Sequence, residues 1–125
     1  MIGSRVHHVS FPVSDLERAR AFYEGVLGLE EIPRPEMGLG GKWYRIGDAE
    51  IHIIVTPEGA DVGTRSAGLT PLGPHTAFQV DDYAKTLEAL EARGVEVLKT
   101  SAENGQLWIR DPDGNVFELI EPGSR

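Results

Sequence analysis

The sequence predicts an α+β protein made of two βαβββ modules. Three observations carry that reading. The chain repeats itself once. Each copy has one run of helical spacing set among several short alternating runs. Each helical run opens on an acidic capping residue and closes on a glycine.

The repeat shows first as a shared spacing, H-x4-V-x-D. It reads His8, Val13, Asp15 in the first copy and His75, Val80, Asp82 in the second. Strands are expected over 6–13 and 75–80. Helices are expected over 15–28, with Leu16, Ala19, Phe22, Tyr23 and Val26 at helical spacing, and over 82–94, with Tyr83, Leu87 and Leu90, joined by Ala84. Asp15 or Ser14, and Asp81 or Asp82, suit the N-caps. Gly28 and Gly94 stand where a left-handed C-terminal residue is wanted. Short strands follow at 29–32 and 95–98, then at 43–46 and 108–111, which share W-x-R. Turns at 47–50 and 111–115 lead to closing strands at 51–55 and 116–120. Module 1 covers about residues 5–56 and module 2 about 75–122, in one domain. Residues 57–74, rich in Gly and Pro, form the linker. The stretch 33–42 is a loop of the first module only, and Gly38, Gly40 and Gly41 suggest that it moves. Its "GLGGK" lacks the spacing and the following Ser or Thr of a phosphate-binding loop.

A chain of 125 residues suits one domain able to bury its own core. A formal charge of −8 argues against a nucleic-acid surface. There is no cysteine, so there is no disulfide framework and no thiolate metal site. Any metal here rests on His, Asp and Glu. No apolar run resembles a signal peptide or a membrane span. A soluble, cytoplasmic protein without nucleic-acid or membrane partners is expected.

Strand alternation singles out four side chains. Val9, Phe11 and Val13 form an apolar set that should face a helix, which leaves His8, Ser10 and Pro12 on the other face. Phe78 and Val80 likewise leave His75, Ala77 and Gln79. Ile51, Ile53 and Val55 leave His52, and Phe117 and Leu119 leave Glu118. His8, His52, His75 and Glu118 thus share one type of face at two repeat-related positions per module, and they take three of the four histidines. Imidazole and carboxylate suit Zn, Ni, Co, Mn or Fe, so one divalent ion per site is expected. His7, next to His8, should point to the helix side. Trp43 and Trp108 are repeat-related, as are Arg45 and Arg110. Rim packing and surface charge account for them, or else one Arg, or Lys42, receives an anionic substrate group. Ser10 and Gln79 are further candidates for lining a substrate pocket.

The stretches "HHVSFPVSDLERARAFYEGVLGLEE", "HTAFQVDD" and "RDPDGNVFELIEP" make the chain resemble the vicinal oxygen chelate superfamily. That group includes glyoxalase I, bleomycin-resistance proteins, fosfomycin-resistance enzymes, methylmalonyl-CoA epimerase and extradiol dioxygenases. The resemblance implies that the modules form a cup-shaped incomplete barrel with its helices outside. It implies a homodimer and one divalent metal held at His8, His52, His75 and Glu118. It also implies a lyase or isomerase acting on a small substrate that chelates the metal through vicinal oxygens, with Glu118 as the metal-bound base. Glyoxalases and epimerases usually carry Glu or Gln where this chain has His52. His52 is then a fourth ligand, or an acid or base beside a His8–His75–Glu118 triad. The same resemblance leaves open a metal-free ligand-sequestering protein and a non-haem iron dioxygenase.

Overall fold

The computed structural model describes residues 1–123. The chain divides into two compact units, Met1–Gly63 and Thr64–Arg125, and each is a βαβββ module.

In the first unit the strands are β1 (His8–Val13), β2 (Glu30–Ile32), β3 (Gly41–Ile46) and β4 (Ala49–Val55), in the order β1-β4-β3-β2. Strand β1 runs parallel to β4, and the other pairings are antiparallel. Helix α1 (Leu16–Arg20) begins where the Asp15 side chain accepts the Arg18 N–H at 2.8 Å, and it continues as a π-helical turn over Ala21–Val26. Gly28 follows at φ +68°, a backbone angle that suits glycine. The helix lays Ala19, Phe22 and Tyr23 on the sheet. Tyr23 is fully buried, 6.4 Å from the Phe11 ring and stacked 6.1 Å from Tyr44. Val13, Tyr44, Ile51 and Ile53 complete that core. Each such side chain contributes roughly 1.5–3 kcal/mol on burial.

The second unit repeats the plan. Its strands are β5 (His75–Gln79), β6 (Leu98–Lys99), β7 (Gln106–Arg110) and β8 (Val116–Ile120), in the order β5-β8-β7-β6, with β5 parallel to β8. Helix α2 (Tyr83–Ala92) is capped by Asp82, which accepts the Lys85 N–H at 2.9 Å, and Gly94 ends it at φ +72°. Of the alternative caps, Asp15 and Asp82 are the ones used. Tyr83 and Leu90 are buried, while Ala84 is exposed. In the turn between β7 and β8, the buried Asp111 accepts the N–H groups of Asp113 and Asn115. The Asn115 amide donates to its other oxygen at 2.8 Å, and Arg65 Nε donates to Asn115 Oδ1 at 3.0 Å.

Several strands begin at positions other than those expected. Strands β3 and β7 start two residues earlier, at Gly41 and Gln106, and β4 starts at Ala49, inside the expected turn. Strand β6 occupies Leu98–Lys99, at the end of the run 95–98 and one residue past it. Gly41 is a strand residue because a Cβ there would collide with the Ile53 carbonyl, so close approach explains it better than mobility. Among the described residues no helix is long and apolar enough to cross a membrane.

A charged cluster ties the first helix to its sheet. Glu24 receives Arg20 Nε at 2.8 Å and the Tyr44 hydroxyl at 2.8 Å. The Arg20 hydrogen bond, opposed in part by burial and aided by Tyr44, holds Glu24 below the ordinary 4.5. A depressed carboxylate pKa adds stability above its unfolded value and loses it as pH falls through the folded one. Glu24→Gln is therefore expected to lower stability at neutral pH by about 1–2 kcal/mol, allowing for partial exposure. Denaturant melts of both proteins should converge as the pH drops below 4.5.

Candidate functional site

The helix-side residues fix what lies on the opposite, open face of each sheet. In the first unit Ser10 and His52 are register partners across β1 and β4, and Trp43 and His52 across β3 and β4. Arg45 pairs in register with Glu50. His8, Ser10, Trp43, Arg45, Glu50 and His52 therefore share the open face. Lys42 falls on the helix side, where it pairs with Glu31 at 3.0 Å, so it is not a group on that face.

Three rings stack across this face. His52 lies between Trp43, centroid at 4.3 Å and tilted 8°, and His8, centroid at 4.1 Å and tilted 13°. Strand β4 is interior and β1 is an edge, so His52 is buried to 7% exposure while His8 is exposed. His52 Nε2 meets Glu50 Oε1 at 2.9 Å. That hydrogen bond, with smaller help from His7, His52 and Arg45 and against some burial, holds the Glu50 carboxyl below its ordinary value.

His7 departs from the expected placement. It lies one residue before β1, where its carbonyl accepts the Glu50 N–H at 3.0 Å and its side chain is exposed. Its ring sits edge-on to His8 at 5.1 Å, with the two Nδ1 atoms 2.8 Å apart.

In the second unit Glu118 pairs in register with Ala77 on one side and Trp108 on the other, and Arg110 with Val116. His75, Gln79, Gln106, Trp108, Arg110 and Glu118 share the open face. Glu118, on the interior strand, is 7% exposed, while His75 and Gln79 on the edge strand are exposed. His75 Nε2 faces Glu118 Oε1 at 3.0 Å, and His75 Nδ1 faces the Gly73 carbonyl at 2.9 Å. The Gln106 amide donates to Glu118 Oε2 at 3.1 Å. Trp108 Nε1 is buried and has no hydrogen-bond partner among the described residues. Arg110 is committed to Glu96 at 3.1 Å and to the Ala67 carbonyl at 3.1 Å, whereas Arg45 is exposed. The repeat-related arginines are thus not equivalent.

The donor chemistry fits a divalent ion. A carbonyl only accepts, so His75 Nδ1 carries a proton, and in the neutral ring Nε2 presents a lone pair to a carboxylate. Such an approach is favourable only with a cation shared between them, a proton or a metal ion. Two ligands about 2.1 Å from one ion and at right angles to each other lie about 3.0 Å apart. The His75–Glu118 separation meets that condition. Among the described residues, however, no group of three or more His, Asp or Glu side chains is placed to hold an ion. The donors stand as the pair His8 and His52 in one unit and the pair His75 and Glu118 in the other.

Glu50 and Gln106 are absent from the residues picked out in the sequence. Each stands two places before a residue that was picked out, His52 and Trp108, so period-2 spacing would have found them had the strands been started early enough.

Comparison with known proteins gives this face its context. The family model described as Glyoxalase/Bleomycin resistance protein/Dioxygenase superfamily matches residues 5–119. The chain belongs to this superfamily. The lactoylglutathione lyase of Haemophilus influenzae is 31% identical over 94% of this chain and 92% of that protein. Three other curated relatives are longer, and the chain spans 36% to 68% of those. A Bacillus anthracis protein assigned to the glyoxalase family superposes with TM-score 0.78 at 31% identity, over 97% of each chain. A mutant of the fosfomycin resistance protein FosX from Listeria monocytogenes, complexed with Mn(II) and 1S,2S-dihydroxypropylphosphonic acid, superposes with TM-score 0.70 at 25% identity, over 97% of this chain and 93% of that one. Superfamily members bind small-molecule substrates.

The stacked rings set one measurable property. Partial desolvation, then the charges of His52 and His7, hold His8 below the ordinary 6.5, with Glu50 pulling the other way. An NMR titration is expected to place the His8 midpoint below 6.5. His52→Ala should raise it, because that change removes a covering ring and the charge interaction that opposes protonation of His8. An unmoved midpoint would show that the two rings are not in contact.

Proposed function

We propose that this chain is a glyoxalase I-like, metal-dependent lyase or isomerase whose small substrate chelates a divalent ion through neighbouring oxygens. His8, His52, His75 and Glu118 are the proposed ligands, and the proposed working form is a homodimer. The observation that carries the reading is the opposition of His75 Nε2 to Glu118 Oε1, with the other His75 nitrogen already committed to a carbonyl. The FosX structure with Mn(II) supports it by likeness, as does the identity to a lactoylglutathione lyase.

The ion, when bound, supplies Lewis-acid stabilisation of charge that develops on a substrate oxygen. The chain's own residues do the rest. Glu118 has two distinguishable oxygens: Oε1 faces His75, and Oε2 is held by the Gln106 amide. In the proposed reaction Oε2 takes the carbon-bound proton, and Gln106 keeps the carboxylate turned so that this oxygen stays apart from His75. The buried, unpartnered Trp108 Nε1 is a donor suited to a substrate oxygen. Among the repeat-related arginines, Arg45 is the one available to an anionic substrate group. Ser10 and Gln79 are proposed as pocket lining.

Elemental analysis of untagged protein should find about one equivalent of metal per chain, lost in the His8→Ala, His75→Ala double variant. Glu118→Gln should abolish turnover of a hemithioacetal or related substrate while much of the metal stays bound. Near-normal turnover in that variant would remove Glu118 as the base. Iron, with oxygen consumed on a catechol-like substrate, would move the reading to a dioxygenase. No metal after reconstitution with each ion would leave the ligand-sequestering reading in its place.

A further inference from the structure

Glu50 has no part in the reaction just described, yet it makes the closest polar contact to His52. We infer that Glu50 is a positioning residue that fixes which nitrogen of His52 is free to meet an ion, and that this nitrogen is Nδ1. The affinity part of the inference rests on the proposed metal site. The tautomer part does not.

A carboxylate, ionised at neutral pH, can only accept a hydrogen bond, so the proton in the 2.9 Å contact sits on His52 Nε2. In the neutral ring the lone pair is then on Nδ1. The ring cannot readily turn over to exchange the two nitrogens. It is buried to 7% exposure and clamped between Trp43 at 4.3 Å and His8 at 4.1 Å, which come from the strands on either side of β4.

The other two proposed histidine ligands are arranged the opposite way. His75 Nδ1 is committed to the Gly73 carbonyl, and His8 Nδ1 meets His7 Nδ1 at 2.8 Å. Both leave Nε2. These two occupy equivalent places in the repeat, so the odd member is His52. Glu50 explains why. Its equivalent in the second unit is Val116, since Arg45 pairs in register with Glu50 and Arg110 with Val116. Only the first unit therefore has a carboxylate two residues before its interior-strand donor. A group that sets a ligand's tautomer typically changes metal affinity about 10- to 100-fold when it is lost.

The test uses the full chain with ¹⁵N-labelled histidine and long-range ¹H–¹⁵N correlation spectra, recorded without metal and with Zn²⁺. In metal-free wild type, His52 should show a protonated Nε2 and an unprotonated Nδ1, and added Zn²⁺ should shift Nδ1. Glu50→Gln keeps an accepting carbonyl oxygen and should preserve the pattern. Glu50→Ala should mix the two tautomers and weaken Zn²⁺ binding by about 10- to 100-fold. A native amide spectrum of each variant separates these effects from misfolding, and the wild-type and Glu50→Gln spectra decide the matter if Glu50→Ala does not fold. A protonated Nδ1 in wild type, a Zn²⁺ shift at Nε2, or an unchanged pattern in folded Glu50→Ala would overturn the inference. Zn²⁺ that binds to no form would instead defeat the metal reading, and the tautomer would still be judged from the metal-free spectra.

Discussion

Packing a helix over one face of a four-stranded sheet commits every second residue of each strand to that face, and so commits the residues between them to the other. In both units of this protein the centre of the helix side is an apolar, nearly closed core. Ile51, Ile53, Ile109 and Phe117 have exposures of 0–1%. With that side full, the polar side chains of β4 and β8 find their partners on the open face. The stacked rings around His52 and the contacts of Glu118 follow from this exclusion.

Burial on the open face is itself graded by topology. Strands β4 and β8 each have a neighbour on both sides, whereas β1 and β5 are edges. The donors on the interior strands, His52 and Glu118, are accordingly buried, and those on the edge strands, His8 and His75, are exposed. A buried carboxylate or imidazole left alone costs far more than an exposed one, so the interior positions are where partners matter most. Glu50 serves His52, and Gln106 serves Glu118. The two supporting groups differ in charge, and they come from different directions. Glu50 lies on the same strand as its partner, and Gln106 on the neighbouring one. The repeat thus supplies equivalent places without supplying equivalent chemistry.

Much of this fold was legible in the residues. The H-x4-V-x-D spacing, the acidic caps, the glycines after each helix and the turn formers at 111–115 all act locally, and their consequences agree with the structure. The starts of β3, β4 and β7 were not legible, because the first residues of those strands resemble loop and turn. Gly41 belongs to β3 through its fit against the Ile53 carbonyl, which is a contact with another strand. His7 lies beside His8 because, one residue ahead of β1, its side chain is exposed and no buried packing holds it to the helix side.

For the open face, the sequence by itself determined membership. Alternation is a property of covalent backbone geometry, so His8, His52, His75 and Glu118 were bound to lie opposite the apolar positions once strands formed there. The tertiary structure alone decided what each of them touches. Trp43 covers His52 because the antiparallel register aligns residues from separate strands. Gly73 takes His75 Nδ1 because the chain enters β5 with that carbonyl turned back. Arg110 is withdrawn to Glu96 while Arg45 stays exposed, though the same W-x-R spells both. Register, burial and the direction of a hydrogen bond are set by residues far apart in the chain, and short-range sequence patterns do not encode them.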